Sequence, residues 1–204
     1  MKKRILIVDN YDSFTYNLYH LIKELGFLNI EVLRNDKLTL NDVESFGKII
    51  LSPGPGVPSE AGLLCDIIQR YASKKSMLGV CLGHQAIAEV FGARLLNLKE
   101  VFHGVTTPVQ VVKPDMLFEG LPDTFEVGRY HSWVVDSVGF PSSLDVTAID
   151  ADGSIMALRH REYDVRGIQF HPESILTPTG ARILGNWLSN PNSLNLEYQY
   201  DNLK

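Results

Sequence analysis

The chain has 204 residues, 45% hydrophobic and 21% charged, with 19 Lys and Arg against 24 Asp and Glu for a net charge of −5. An acidic balance with scattered basic residues argues against nucleic acid as a partner, and no apolar run approaches the ~20 residues of a membrane span. Two cysteines, Cys65 and Cys81, make no disulfide framework and suit a reducing cytoplasm, so secreted scaffolds, disordered chains and collagen-like repeats are excluded as well.

The basic start, Lys2-Lys3-Arg4, precedes an apolar stretch of only Ile5 to Val8, too short for a secretory leader. That stretch reads instead as a strand buried on both faces. Phe14, Leu18, Leu21, Ile22 and Leu25 then recur at helical spacing, with Ser13 as the expected cap and Gly26 as the expected stop. Further strands are predicted over Ile30–Leu33 and Ile49–Leu51, a helix from about Glu60 to Tyr71, and a strand over Met77–Val80. That last strand leads directly into a helix closed by Gly92. Strand–helix alternation of this kind builds a parallel sheet with helices on both faces.

The second half is different. Val109–Val112, Phe125–Tyr130, Trp133–Val135 and Val146–Ile149 are short strands separated by turn residues, and Ile155–Arg159 with Val165–Phe170 reads as a hairpin. Thr177 and Pro178 carry the cap and first-position signals of a last helix through Ile183, Leu184 and Trp187. The expectation is a single α/β domain over residues 1–190, mostly parallel with a small antiparallel appendage. A loose tail is expected over residues 191–204.

Three segments carry chemistry. Gly79-Val80-Cys81-Leu82-Gly83-His84-Gln85 sits where a buried strand turns into a helix, in the form of a nucleophile elbow with Cys in place of Ser. A thiol there stands at a helix N-terminus, where the dipole and free N–H groups stabilise a thiolate. Read alone, Cys81 is also what a small buried hydrophobe looks like. In Gln169-Phe170-His171-Pro172-Glu173-Ser174, His171 and Glu173 are two apart on an extended segment. One side therefore carries an imidazole and a carboxylate able to orient it. The plainer alternative is a strand-end histidine beside a solvated glutamate. Ser52-Pro53-Gly54-Pro55-Gly56-Val57-Pro58 is either a simple turn or a rigid loop presenting backbone amides as oxyanion donors together with that of Leu82. All three lie at carboxyl ends of predicted strands, and together they supply nucleophile, base, orienter and oxyanion donors for acyl transfer from a thiol.

The cysteine and histidine motifs resemble those of the class I (triad) glutamine amidotransferases. Asp9-Asn10-Tyr11-Asp12-Ser13-Phe14-Thr15, Ser52–Gly56 and Tyr130-His131-Ser132 narrow the resemblance to the small glutaminase subunits of anthranilate synthase and aminodeoxychorismate synthase. It runs from Lys3 to about Leu188. It implies a flavodoxin-like fold and release of ammonia from L-glutamine to a chorismate-binding synthase large subunit in a hetero-oligomer. Neither cofactor nor metal is implied. By the resemblance, Cys81, His171 and Glu173 form the triad, while Gly54, Pro55, Gly56, Leu82, Gln85, Ser132 and Trp133 hold glutamine, the last two through backbone groups. Val105 stands where the family usually has Lys, and Trp133 where it usually has Leu. His84 is a candidate partner contact and Cys65 a core residue. Two other readings are a stand-alone cysteine hydrolase or peptidase on a related fold, and a non-catalytic module using Asp12–Thr15 as a phosphate loop.

Overall fold

The computed structural model describes residues 4–190. The expected tail, residues 191–204, lies outside the described residues. A nine-stranded mixed sheet has the order β2-β1-β3-β4-β11-β10-β9-β6-β7, where β1 is Ile5–Asp9, β2 Ile30–Arg34, β3 Lys48–Leu51, β4 Ser76–Val80, β6 Val105–Val111, β7 Thr124–Arg129, β9 Leu144–Ile149, β10 Ile155–His160 and β11 Val165–Ile168. Pairing from β2 through β11 is parallel, and from β11 to β7 it is antiparallel. Two further strands, β5 (Leu95–Asn97) and β8 (Trp133–Val135), form a separate antiparallel pair. Most strands of the second half thus extend the main sheet, and the appendage is this pair alone.

The apolar run of β1 is explained by what covers it. Leu6 and Val8 join a core that includes residues of α2 (Leu64–Tyr71) and α3 (Leu82–Val90). Ile5 and Ile7 join the opposite core, with α1 (Thr15–Glu24) and α4 (Gly180–Ser189). With both faces dry, alternation has no polar side to show.

Three helix starts differ from the sequence reading. The segment from Glu60 does not run unbroken to Tyr71. Pro58–Glu60 forms a short 3-10 turn, the Leu63 amide donates to the Asn35 carbonyl, and α2 begins at Leu64. Ser13 does not cap α1. Asp12 does the local work, its Oδ1 accepting from the Phe14 amide at 2.7 Å, and the helix starts at Thr15. Thr177 does not cap α4, because its hydroxyl is used elsewhere: it donates to the His171 carbonyl at 2.6 Å and accepts from the Gly128 amide at 2.9 Å. The helix begins two residues after Pro178.

Register brings the site together. Leu51 pairs with Gly79 and Val80 with Ile168, so β3, β4 and β11 end side by side. The segments that follow them, Ser52–Gly56, Cys81–Gln85 and Gln169–Ser174, therefore leave the sheet at one edge. The end of β1 joins them through the Ser52 amide, which donates to the Val8 carbonyl.

Candidate active site

Cys81 connects β4 to α3 with φ 52° and ψ −100°, a strained backbone for a residue with a side chain. The surroundings hold it there. Its amide donates to the Ile168 carbonyl at 2.9 Å, and its carbonyl accepts from the Gln85 amide. A Cβ at Gly83 would run into the Leu51 carbonyl, and one at Gly79 into the backbone of Gly83, so no other residue lets strand and helix approach this closely.

His171 lies 2% exposed beside this elbow. Its Nδ1 bonds Glu173 Oε1 at 2.7 Å, and both side chains are buried. The rings of Tyr130 and Phe14 stand edge-on to the imidazole at 4.9 and 5.2 Å. Nε2 is buried without a hydrogen bond of ordinary geometry, which leaves it for the Cys81 side. Burial of the ring opposes its charge, but interaction with the Cys81 sulfur and with Glu173 outweighs that and raises its pKa from 6.5 to about 10. The imidazole is therefore positively charged at neutral pH.

The loop after β3 is braced from the end of β1. Asn10 Nδ2 donates to the Ser52 carbonyl at 2.8 Å, and the Asn10 amide donates to Ser52 Oγ at 2.9 Å. Gly54 is pressed against its neighbours, since a Cβ there would stand 2.6 Å from Leu82 Cδ2 and 2.7 Å from Asn10 Cβ. Gly54 and Leu82 thus meet at the elbow.

A cavity of about 240 Å³ opens over Cys81. Of the expected residues, Gly54, Pro55, Gly56, Cys81, Gln85, Ser132 and Trp133 line it. Leu82 and His171 are buried beside Cys81, with Glu173 hydrogen-bonded behind His171. Gln85 Nε2 donates to the Trp133 carbonyl at 2.9 Å, and the Ser132 carbonyl accepts from the Leu98 amide at 2.7 Å. These two carbonyls are already committed within the chain.

Other lining residues are Tyr130 and His131, from the Tyr130–Ser132 motif, and Val101, Phe102 and His103, from a segment without a sequence signal. Behind them Arg129 is 2% exposed, bonded to Asp150 at 2.8 Å and stacked 3.6 Å over the Phe102 ring. Burial, and then the adjacent Arg129, lower the His131 pKa to about 3, so this ring is neutral. His84 is fully buried against Gly167, and burial lowers its pKa to about 4. It cannot contact a partner as its sequence position suggests. In the Asp12–Thr15 segment the chain's own carboxylates occupy the donors: Asp9 Oδ1 takes the Tyr11 amide and the Thr15 hydroxyl, and Asp12 the Phe14 amide. That leaves a poor phosphate cradle. Among the described residues, no group of three or more His, Cys, Asp or Glu side chains could hold a metal ion.

Residues 6–190 match the sequence profile of the glutamine amidotransferase class-I family. The chain belongs to that family. It is 47% identical over 186 residues to aminodeoxychorismate synthase component 2 of Escherichia coli (strain K12), covering 90% of this chain and 98% of that protein. It is 46% identical over 191 residues to anthranilate synthase component 2 of Pseudomonas aeruginosa, covering 90% and 94%. In fold it matches the crystal structure of a glutamine amidotransferase from Thermotoga maritima with a TM-score of 0.72 at 18% identity, over 98% of this chain and 86% of that one. In this class-I glutamine amidotransferase the elbow, the histidine segment and the loop after β3 converge at one edge of the sheet, with the cavity lined by the elbow and the loop.

Proposed function

We propose that this amidotransferase hydrolyses L-glutamine through Cys81, His171 and Glu173 and passes the ammonia to a chorismate-binding synthase subunit. The observation that carries the reading is the line from Glu173 through His171 to Cys81 beneath the cavity. The Cys81 sulfur attacks the side-chain carboxamide carbon of glutamine. The resulting oxyanion is held by the amides of Leu82 and Gly54, a contribution worth ~10²–10³ in rate per donor. Charged His171 gives its proton to the departing nitrogen and ammonia leaves, with Cys81 as a glutamyl thioester. Now neutral, His171 takes a proton from water as that water attacks the thioester, and collapse releases glutamate and restores the Cys81 thiolate beside charged His171. Glu173 keeps the imidazole oriented throughout. Gly54, Pro55, Gly56 and Gln85 hold the substrate, together with Ser132 and Trp133.

The partner is inferred from the relatives, which are named as second components of aminodeoxychorismate and anthranilate synthases. The same small-subunit chemistry serves either product, so the synthase chooses the pathway. The complex is a hetero-oligomer, and the cytoplasm is its expected compartment. Turnover by the free subunit is slow, because the pocket is completed when the synthase docks.

Intact-mass labelling with a glutamine-like electrophile tests the reading. A single adduct is expected on the wild type, blocked by excess glutamine and missing from Cys81→Ala. Absence of any adduct with a chorismate-binding synthase present would sink it.

A further inference from the structure

A run of hydrogen bonds crosses the floor of the cavity, and its direction follows from donor and acceptor chemistry alone. Arg129 has only donors, so the 3.1 Å bond from its Nε makes His131 Nε2 an acceptor. His131 then carries its proton on Nδ1 and donates to the Trp133 carbonyl at 3.0 Å. That carbonyl only accepts, so the end of the Gln85 side chain lying 2.9 Å from it is the amino end. The same Gln85 nitrogen lies 3.2 Å from the other glutamine, whose near atom must therefore be the acceptor, Gln169 Oε1. The remaining end of Gln169, its Nε2, faces Cys81 Sγ at 3.6 Å. Gln169 is wholly buried, just past β11, and its own amide is tied to the Met156 carbonyl.

We infer that Gln169 is a catalytic residue whose side-chain amide donates to the Cys81 sulfur, with Gln85 and the Trp133 carbonyl holding that amide the right way round. A thiol sulfur is a weak acceptor and a thiolate a much stronger one, so a fixed N–H donor favours the nucleophilic form. The titratable groups around the sulfur are His171, with Glu173 behind it, and the neutral rings of His131 and His84. Arg129 and Asp150 stand further back as a closed pair. Gln169 thus supplies a donor that titrates nowhere in the working pH range. The inference rests on Cys81 as nucleophile, and it adds to the triad the residue two before His171, on the same alternation that pairs His171 with Glu173.

The test is alkylation of Cys81 by iodoacetamide across neutral to alkaline pH, read by mass mapping, on the wild type, Gln169→Leu, Gln169→Glu and Gln85→Leu. Cys65 is the internal reference, half-buried in α2 and remote from the network. Gln169→Leu is expected to slow Cys81 labelling at neutral pH roughly tenfold, the lower end for a hydrogen bond to a charged acceptor, and to match the wild type at high pH. Gln169→Glu keeps the shape but sets a carboxylate against the sulfur, so its loss is larger. Gln85→Leu frees the Gln169 amide to turn and falls between. Cys65 labelling is unchanged throughout. Wild-type rates and pH dependence in both Gln169 variants would overturn the inference, and if Gln169→Leu fails to fold, Gln169→Glu decides alone. Glutamine protection of wild-type Cys81, run alongside, judges the substrate reading separately, because alkylation needs neither glutamine nor synthase.

Discussion

His171 shows how one side chain takes its character from opposing environments. Burial would strip its charge, but the Cys81 sulfur and Glu173 restore it with a wide margin. The raised value has a stability consequence of definite sign. Stability contributed by the charged ring is complete below its ordinary value near 6.5 and is lost as pH climbs toward about 10. Glu173→Gln should make that decline smaller and end it at lower pH in urea unfolding followed over the same range. The same variant should cut glutamine hydrolysis by ~10²–10⁴-fold through loss of acid–base catalysis, without emptying the site of glutamine in a binding assay. Equal pH dependence of stability in variant and wild type would show that Glu173 does not hold the charge.

At the scale of the element, legibility follows periodicity and local chemistry. The strand–elbow–helix around Cys81 is readable because Gly79 and Gly83 flank the thiol at a strand-to-helix transition. The β1 run is readable because both faces are dry. Thr177 misleads for a physical reason: a hydroxyl before a helix looks like a cap whether it serves the helix or, as here, ties the His171 carbonyl to β7. Long-range partners have no sequence period. Nothing local announces that Arg129 meets Asp150 or that Phe102 lies under the guanidinium, whereas Gln169 shares the alternation of His171 and Glu173. Thr177→Val tests the tie directly. It should cost about 1–3 kcal/mol in thermal or urea unfolding, because a buried amide and carbonyl lose their partner, and lower turnover as the His171 loop loosens. A variant as stable and active as the wild type would show the tie to be dispensable.

For the whole molecule, the bare edge of the site matters as much as its floor. Ile175, two residues past Glu173, is 94% exposed, and Val101 at the cavity is 66% exposed. Scattered exposed apolar groups are ordinary, but Val101 lines the cavity and Ile175 lies two residues past Glu173, and under the proposed function the ammonia passes from this site to a second subunit. Ile175→Asp should weaken association about tenfold or more with a chorismate-binding synthase in titration calorimetry, with the unfolding midpoint and labelling of the free protein unchanged. Unaltered affinity would place the contact elsewhere.

The sheet order sets when this enzyme can come into being. β11 is inserted between β4 and β10, although the chain makes β4 some ninety residues earlier. Synthesis runs from the N-terminus, and pairing across such a separation closes late. Until β11 arrives, the parallel half has an open edge where Cys81 stands, and His171, Glu173 and Gln169 are all still to be made. Under the proposed function ribosomal order works as a timer: the Cys81 thiol waits some ninety residues for its partners, and arming it is among the last events of folding.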